Sequence, residues 1–348
     1  MTIADVLLSI LWLALFIYTI FGGADFGAGM LELFAVGESG ARQDALIDES
    51  IGPVWESNHV WLIFLLVVFF SAFPPAFAAI NVVLFIPLLL AVIGIVLRGS
   101  SFVFKTHGII QRSRNIKILS RTFSVASAMT PFFLALAAAA IASGVIHIQN
   151  TSQVVSNTRS DWLTPFTLTI GAMALTLCVT ISAIYLTVEA TSRGQSDLAE
   201  AFRRRGLIAG ALTAVFGLLG LILAPSEAAF LWHGMLDKAI PVVIVTMLVG
   251  VAAAAALWFK RYTWARVLIV AEVAFLLLSW GMSQYPYIIP PDVTAANASS
   301  PLETQQFLLV GIILALIIVV PSLWFLFYVF KLKKVTANGA DVAQKPAE

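Results

Sequence analysis

Nine stretches of this sequence are apolar over the roughly 20 residues that a helix needs to cross a bilayer, and that recurrence constrains the fold more than any motif. They lie near 5–24, 53–73, 77–97, 122–145, 163–188, 206–224, 239–259, 265–288 and 305–330. In hydrocarbon every backbone amide must find its partner within its own segment, so runs of this length fold as helices. The expected architecture is an all-α integral membrane domain over 1–335, with about nine transmembrane helices arranged as two four-helix groups plus a ninth. Residues 336–348 read as a disordered tail. Only 11% of the 348 residues are charged and 60% are hydrophobic, whereas a soluble domain carries roughly 25% charge.

The first apolar run lacks a positively charged start and an A-x-A-like cleavage site, so it reads as an uncleaved first helix. Ala72-Phe73-Pro74-Pro75-Ala76 separates the second and third runs, and consecutive prolines there predict a tight antiparallel hairpin. With nine spans, 18 of the 20 Lys and Arg residues fall on one side, and only Arg159 and Lys238 fall on the other. By the positive-inside rule the N-terminus is outside and the C-terminus is in the cytoplasm.

Several function classes are disfavoured by composition. A net charge of +1 without a basic tract gives no footing for nucleic acid. One cysteine, Cys178, permits neither a disulfide framework nor a thiolate metal site. Glu56 and His59 have the Glu-x-x-His spacing of a di-iron bundle, but that fold needs a second such pair and the sequence holds none. A haem needs an axial ligand inside the bundle. His59 alone lies near enough, at a helix entrance, so no haem or metal is expected on this chain.

Ionisable residues at membrane depth are the natural functional candidates. Asp25 ends the first run, Glu56 opens the second, Glu189 ends the fifth, and Glu272 lies within the eighth. The topology gathers them toward the cytoplasmic half, as a proton-collecting region or as interfacial carboxylates that reach water. Asp25 stands in Gly22-Gly23-Ala24-Asp25-Phe26-Gly27, where Gly23 and Gly27 are one turn apart and admit a close helix neighbour. The densest polar cluster is Pro53-Val54-Trp55-Glu56-Ser57-Asn58-His59-Val60-Trp61. Pro53 suits a first helical turn, and Glu56 would meet the positive end of the helix dipole.

These two stretches resemble the second subunit of cytochrome bd-type terminal oxidases, which use ubiquinol or menaquinol. In that family the first helix ends in a Gly/Asp/Phe-rich stretch leading to Gly-x-Gly-Met-Leu, and here Ala24-Asp25-Phe26-Gly27-Ala28-Gly29-Met30-Leu31 matches. Pro53, Trp55, Glu56, Asn58 and Trp61 occupy the pattern Pro-x-Trp-Asp-x-Asn-x-x-Trp. Arg98 in Leu97-Arg98-Gly99 and Tyr285-Pro286-Tyr287-Ile288-Ile289-Pro290 before Asn297-Ala298-Ser299 extend the likeness. The resemblance implies a complex in a bacterial or archaeal cytoplasmic membrane that oxidises quinol and reduces O2 to water. Haems b and d sit on the partner, subunit I, and none on this chain. Asp25 and Glu56, with Asn58 and His59 beside them, are implied in proton uptake toward haem d. Trp61 is implied in a hydrophobic oxygen route, and Gly23, Gly27, Trp55 and Arg98 in structure and interfaces. A small accessory subunit, and a quinone or lipid bound on this chain, are left open.

The branch is divergent: Glu56 replaces the usual Asp, His59 adds a titrating group, and Phe64–Phe70 is bulkier than the common version. Two other readings remain at this point, a purely structural subunit of such a complex and a secondary transporter.

Overall fold

Nearly every described residue of the chain is helical. The computed structural model describes residues 2–35, 39–106, 113–149, 153–154 and 162–343. The side chains of 51–57, 105–106, 113–117, 149, 153–154, 323, 326–327 and 330–343 lie outside that description.

Helix α1 (Ile3–Glu32) starts on a capping box: Thr2 Oγ1 accepts the Asp5 N–H at 3.2 Å and Asp5 Oδ2 accepts the Thr2 N–H at 2.7 Å. Helix α2 (Gly40–Ala72) stops at Phe73, ahead of two prolines, and α3 (Pro74–Val83) leaves it at 115°. Pro87 has no N–H for the Val83 carbonyl, and the helix breaks at Leu84 before resuming as α4 (Phe85–Thr106). Where an antiparallel hairpin is expected at 72–76 the chain bends by 115°, and the stretch 77–97 is divided between α3 and α4. Among the described residues eight helices are long and apolar enough to cross a membrane, and the bent α2–α3 pair makes nine.

The remaining helices are α5 (Ser113–Ser143), α6 (Pro165–Ser192), α7 (Ser196–Glu227), α8 (Ala229–Gly234), α9 (Ile240–Trp258), α10 (Tyr262–Gln284) and α11 (Leu302–Ala343). One π turn, Met235–Ala239, joins α8 to α9. Its cause is Pro241, which cannot donate to the Asp237 carbonyl and so widens the ladder. Two small antiparallel ladders lie in connections: β1 (Ile148–Gln149) with β2 (Gln153–Val154), and β3 (Tyr287–Ile289) with β4 (Val293–Thr294). Helix α11 continues through 336–343, where composition suggests a disordered tail. Adding residues to a running helix is far cheaper than starting one. Residues 344–348 lie outside the described part.

The main packing joins α1 with α2, α4 with α5, α6 with α7 and α9 with α10, while α6 also packs on α1 and α5, and α11 lies beside α2. Helix α1 is the central member, packing on α2, α5 and α6, and its glycines set those approaches. A Cβ at Gly27 would lie 2.0 Å from the Cys178 carbonyl oxygen, and one at Gly23 would lie 2.7 Å from Ile181 Cδ1, so both glycines admit α6. Gly22 instead faces Asn58 of α2, with Oδ1 at 3.1 Å from such a Cβ, and Gly29 faces Ser127 of α5. One apolar core gathers Leu7, Phe73, Leu84 and Ile289 at the Thr2 end of α1. A second gathers Leu31, Leu46, Phe123 and Phe202 at the Glu32 end.

Candidate functional site

Asp25 lies seven residues before the end of α1 and is wholly excluded from solvent, and Arg98 of α4 is 1% exposed. Arg98 Nη2 donates to Asp25 Oδ1 at 2.5 Å and to the Asp25 carbonyl oxygen at 3.2 Å. Arg98 Nε donates to Ser127 Oγ of α5 at 2.9 Å, and that hydroxyl donates onward to the Phe123 carbonyl at 2.7 Å. Asn58 Nδ2 of α2 donates to the other carboxylate oxygen, Oδ2, at 3.2 Å. The guanidinium lies between the rings of Phe26 and Phe123, 5.1 and 4.7 Å from their centroids. Four helices thus converge on one ion pair.

The pair satisfies the condition on which charge survives in a low-dielectric interior: each ion has its counterion and further hydrogen bonds. The local sequence makes the site possible. Gly22 lets Asn58 close on α1, and Gly29 lets Ser127 close on the next face. With Arg98 on one oxygen and Asn58 on the other, the Asp25 carboxylate cannot swing.

Two turns further toward the Glu32 end the same face of α1 carries a second buried acid. Ser120 of α5 donates to Glu32 Oε1 at 2.5 Å, and Glu32 is 6% exposed. Asp25, Gly29 and Glu32 are spaced i, i+4, i+7, and Ser127, Ser124 and Ser120 are spaced likewise on α5. The seam between the two helices therefore has a polar stripe. Glu32 is not among the candidates read from sequence. Its signal is that periodicity with Asp25, which shows only when the face of α1 is known.

On the other side of the pair, Tyr18 and Phe26 of α1, Asn58, His59 and Leu62 of α2, and Ile95 and Arg98 of α4 line a narrow cleft. Its room is about 10 Å³, on the order of one water molecule. Tyr18 Oη and Asn58 Oδ1 are buried there without a protein partner.

The other expected residues fall as follows. His59 lines the cleft beside Asn58. Trp61 is half-buried on α2, edge-on to Phe64 at 5.9 Å between centroids, with Nε1 unpartnered. Trp55 and Glu56 lie in α2, but their side chains are outside the described part. Glu189 is paired with Arg193 at 2.8 Å. Glu272 is half-buried in the middle of α10 against α9, where a Cβ at Gly250 would come 2.8 Å from its Oε1. Arg98, read as a structural or interface residue, is the counterion of Asp25.

Among the described residues no three of His, Cys, Asp and Glu are grouped to hold a metal ion. His147 is exposed beside Asp292, and His233 bonds the Ala229 carbonyl, while His107 lies outside the described part. A haem needs an axial ligand facing a cavity of several hundred Å³, and the cleft at His59 has about 10 Å³. At His59 there is no room for one.

Fold and site together define a polytopic all-α membrane protein with a fully buried, hydrogen-bonded charge pair at a four-helix junction. The chain belongs to the cytochrome bd terminal oxidase subunit II family, whose model matches residues 3–330. It is 24% identical to a Bacillus subtilis (strain 168) protein provisionally named a cytochrome bd menaquinol oxidase subunit II, over 94% of this chain and 96% of that one. It is 22% identical to the cytochrome bd-I ubiquinol oxidase subunit 2 of Escherichia coli, over 88% of this chain and 89% of that one. The fold is that of a chain of the bd oxidase from Geobacillus thermodenitrificans, with a TM-score of 0.79 at 24% identity, covering 95% of this chain and 99% of that one. The chain is accordingly a subunit of an oxidoreductase complex, and the transporter alternative falls.

Proposed function

We propose that this chain is the haem-free second subunit of a quinol-oxidising, O2-reducing terminal oxidase in a bacterial cytoplasmic membrane. It supports a haem-bearing subunit I and carries protons from the cytoplasmic side along α1. The observation that carries the reading is Asp25, a carboxylate kept at full burial by one donated hydrogen bond on each oxygen, from Asn58 of α2 and Arg98 of α4, with a further bond from Arg98 to its backbone carbonyl. Such groups are costly at membrane depth and are retained where charge has work to do. Glu32 with Ser120, at the end of α1 that the Lys/Arg asymmetry assigns to the cytoplasm, is the entrance of this route. Glu56, two residues before Asn58 in the sequence, is a further acid of this proposed route. Trp61 borders an apolar path for O2, which partitions into lipid and needs no polar groups. Haems b and d belong to the partner, and quinol is oxidised there.

A structural role is favoured by one specific feature: Asp25 is fixed on both oxygens, as a purely architectural pair would be. The two readings separate in the purified two-subunit complex carrying Glu56→Gln or Asp25→Asn. Proton uptake predicts turnover lowered roughly tenfold or more with haem content kept. Unchanged turnover in both haem-loaded variants leaves only the structural role.

A further inference from the structure

A carboxylate held on both oxygens cannot ferry protons by moving, so transfer past it needs a small carrier alongside. The cleft between α1, α2 and α4 is built for one. Tyr18 is 8% exposed and Asn58 2%. Their Oη and Oδ1 atoms both lack a protein partner, and both residues line a space on the order of one water in size. Leaving a hydroxyl and an amide oxygen unpaired at this depth costs free energy at each atom. One water removes both deficits, accepting from the tyrosine hydroxyl and donating to the asparagine oxygen. Tyr18 and Asp25 lie on one face of α1, two turns apart with Gly22 between them, and residue 18 is at the middle of that helix. The cleft therefore lies between Arg98, beside the charge pair, and Tyr18, at the middle of α1.

We infer that this cleft binds a single water molecule, held by Tyr18 Oη and Asn58 Oδ1, and that Tyr18 is a positioning residue for proton transfer past Asp25. The proton-transfer role rests on the function proposed above; the water site does not. In a hop the water takes a proton on its oxygen and releases one of its own hydrogens, so charge moves and the molecule is restored. His59 borders the same space and is a titratable side chain of α2 that can exchange with it.

The test is a density map of the intact two-subunit complex, fine enough to show ordered water, for the wild type and Tyr18→Phe. The phenyl ring keeps the packing, so assembly and haem content serve as the folding control. We expect a peak within hydrogen-bonding distance of Tyr18 Oη and Asn58 Oδ1, with occupancy falling about tenfold in Tyr18→Phe, the worth of a single buried hydrogen bond. Turnover of the variant falls several-fold and its solvent deuterium isotope effect rises, with the quinol Michaelis constant unchanged. An empty cleft in the wild type, or a peak equally strong in Tyr18→Phe, overturns the site. A peak that is lost without any change in turnover or isotope effect overturns the proton role and leaves the site. If Asp25→Asn slows turnover while Tyr18→Phe is silent, this inference fails and the proposed function stands; if neither slows it, the proposed function fails too.

Discussion

Arg98 and Asp25, 73 residues apart in the chain, form an ion pair of 2.5 Å from which solvent is excluded on both sides. Removing one partner from such a pair is far costlier than removing both, because the survivor keeps its desolvation penalty without its compensation. Arg98→Met should lower the stability of the complex by about 3–5 kcal/mol, while the double variant Arg98→Met/Asp25→Leu should recover most of that loss. Thermal melting of the detergent-solubilised complex measures both. Equal melting points for the single and double variants would show that the two charges are not coupled.

The α1–α6 seam makes a sharper packing prediction. At Gly27 an added methyl would overlap the Cys178 carbonyl, a backbone atom that cannot rotate away. Gly27→Ala should therefore cost ~1–3 kcal/mol or more. Gly99, inside α4, has nothing within 4 Å of the same added atom. Gly99→Ala should stabilise by about 0.5–1 kcal/mol through helix propensity alone. The two alanine variants should shift the melting point in opposite directions, and a loss at both would mean that the helices pack differently.

Glu32 tests the entrance of the proposed route. Glu32→Gln keeps the size and an acceptor for Ser120 but cannot take up a proton. Turnover should fall several-fold, more at high pH than at low, where protons are plentiful and the entrance limits less. Ser120→Ala, which leaves the acid in place, should be milder. A flat response to Glu32→Gln across pH would remove this residue from the route.

Trp61 bears on oxygen. Its ring is packed edge-on to Phe64, so Trp61→Ala opens space beside α2 without deleting a hydrogen bond. Oxygen consumption traces should show an altered apparent oxygen affinity and an unchanged quinol affinity. Equal changes in both would point to a general disturbance of the complex.

At the surface the expectation is the opposite of that for Arg98. Glu49 pairs with Arg193 but is 60% exposed, and screened pairs of this kind contribute about 0–1 kcal/mol. Glu49→Gln should leave melting and turnover within error, and raising the salt should not change that.

Much of this protein was legible in its residues because hydrocarbon leaves a chain few choices. Nine apolar runs and a one-sided Lys/Arg distribution follow from the need to satisfy every amide and keep cations on one side of the membrane. The Gly/Asp/Phe stretch around Asp25 and the Pro53–Trp61 cluster carried the family. The break at Leu84 and the π turn before Pro241 were present in their prolines but not readable as such, since proline in a membrane helix bends it, breaks it or is absorbed. What only the tertiary structure decided is which faces meet. Asp25, Asn58, Arg98 and Ser127 lie on four helices, and their convergence depends on how far each helix is rotated about its axis, a quantity set by packing at Gly22, Gly27 and Gly29 and invisible in a hydropathy pattern. The same rotation buries Glu32 against Ser120 and turns Tyr18 toward Asn58. Spans are dictated by solvent, segment by segment; the site is dictated by contact between segments distant in the chain.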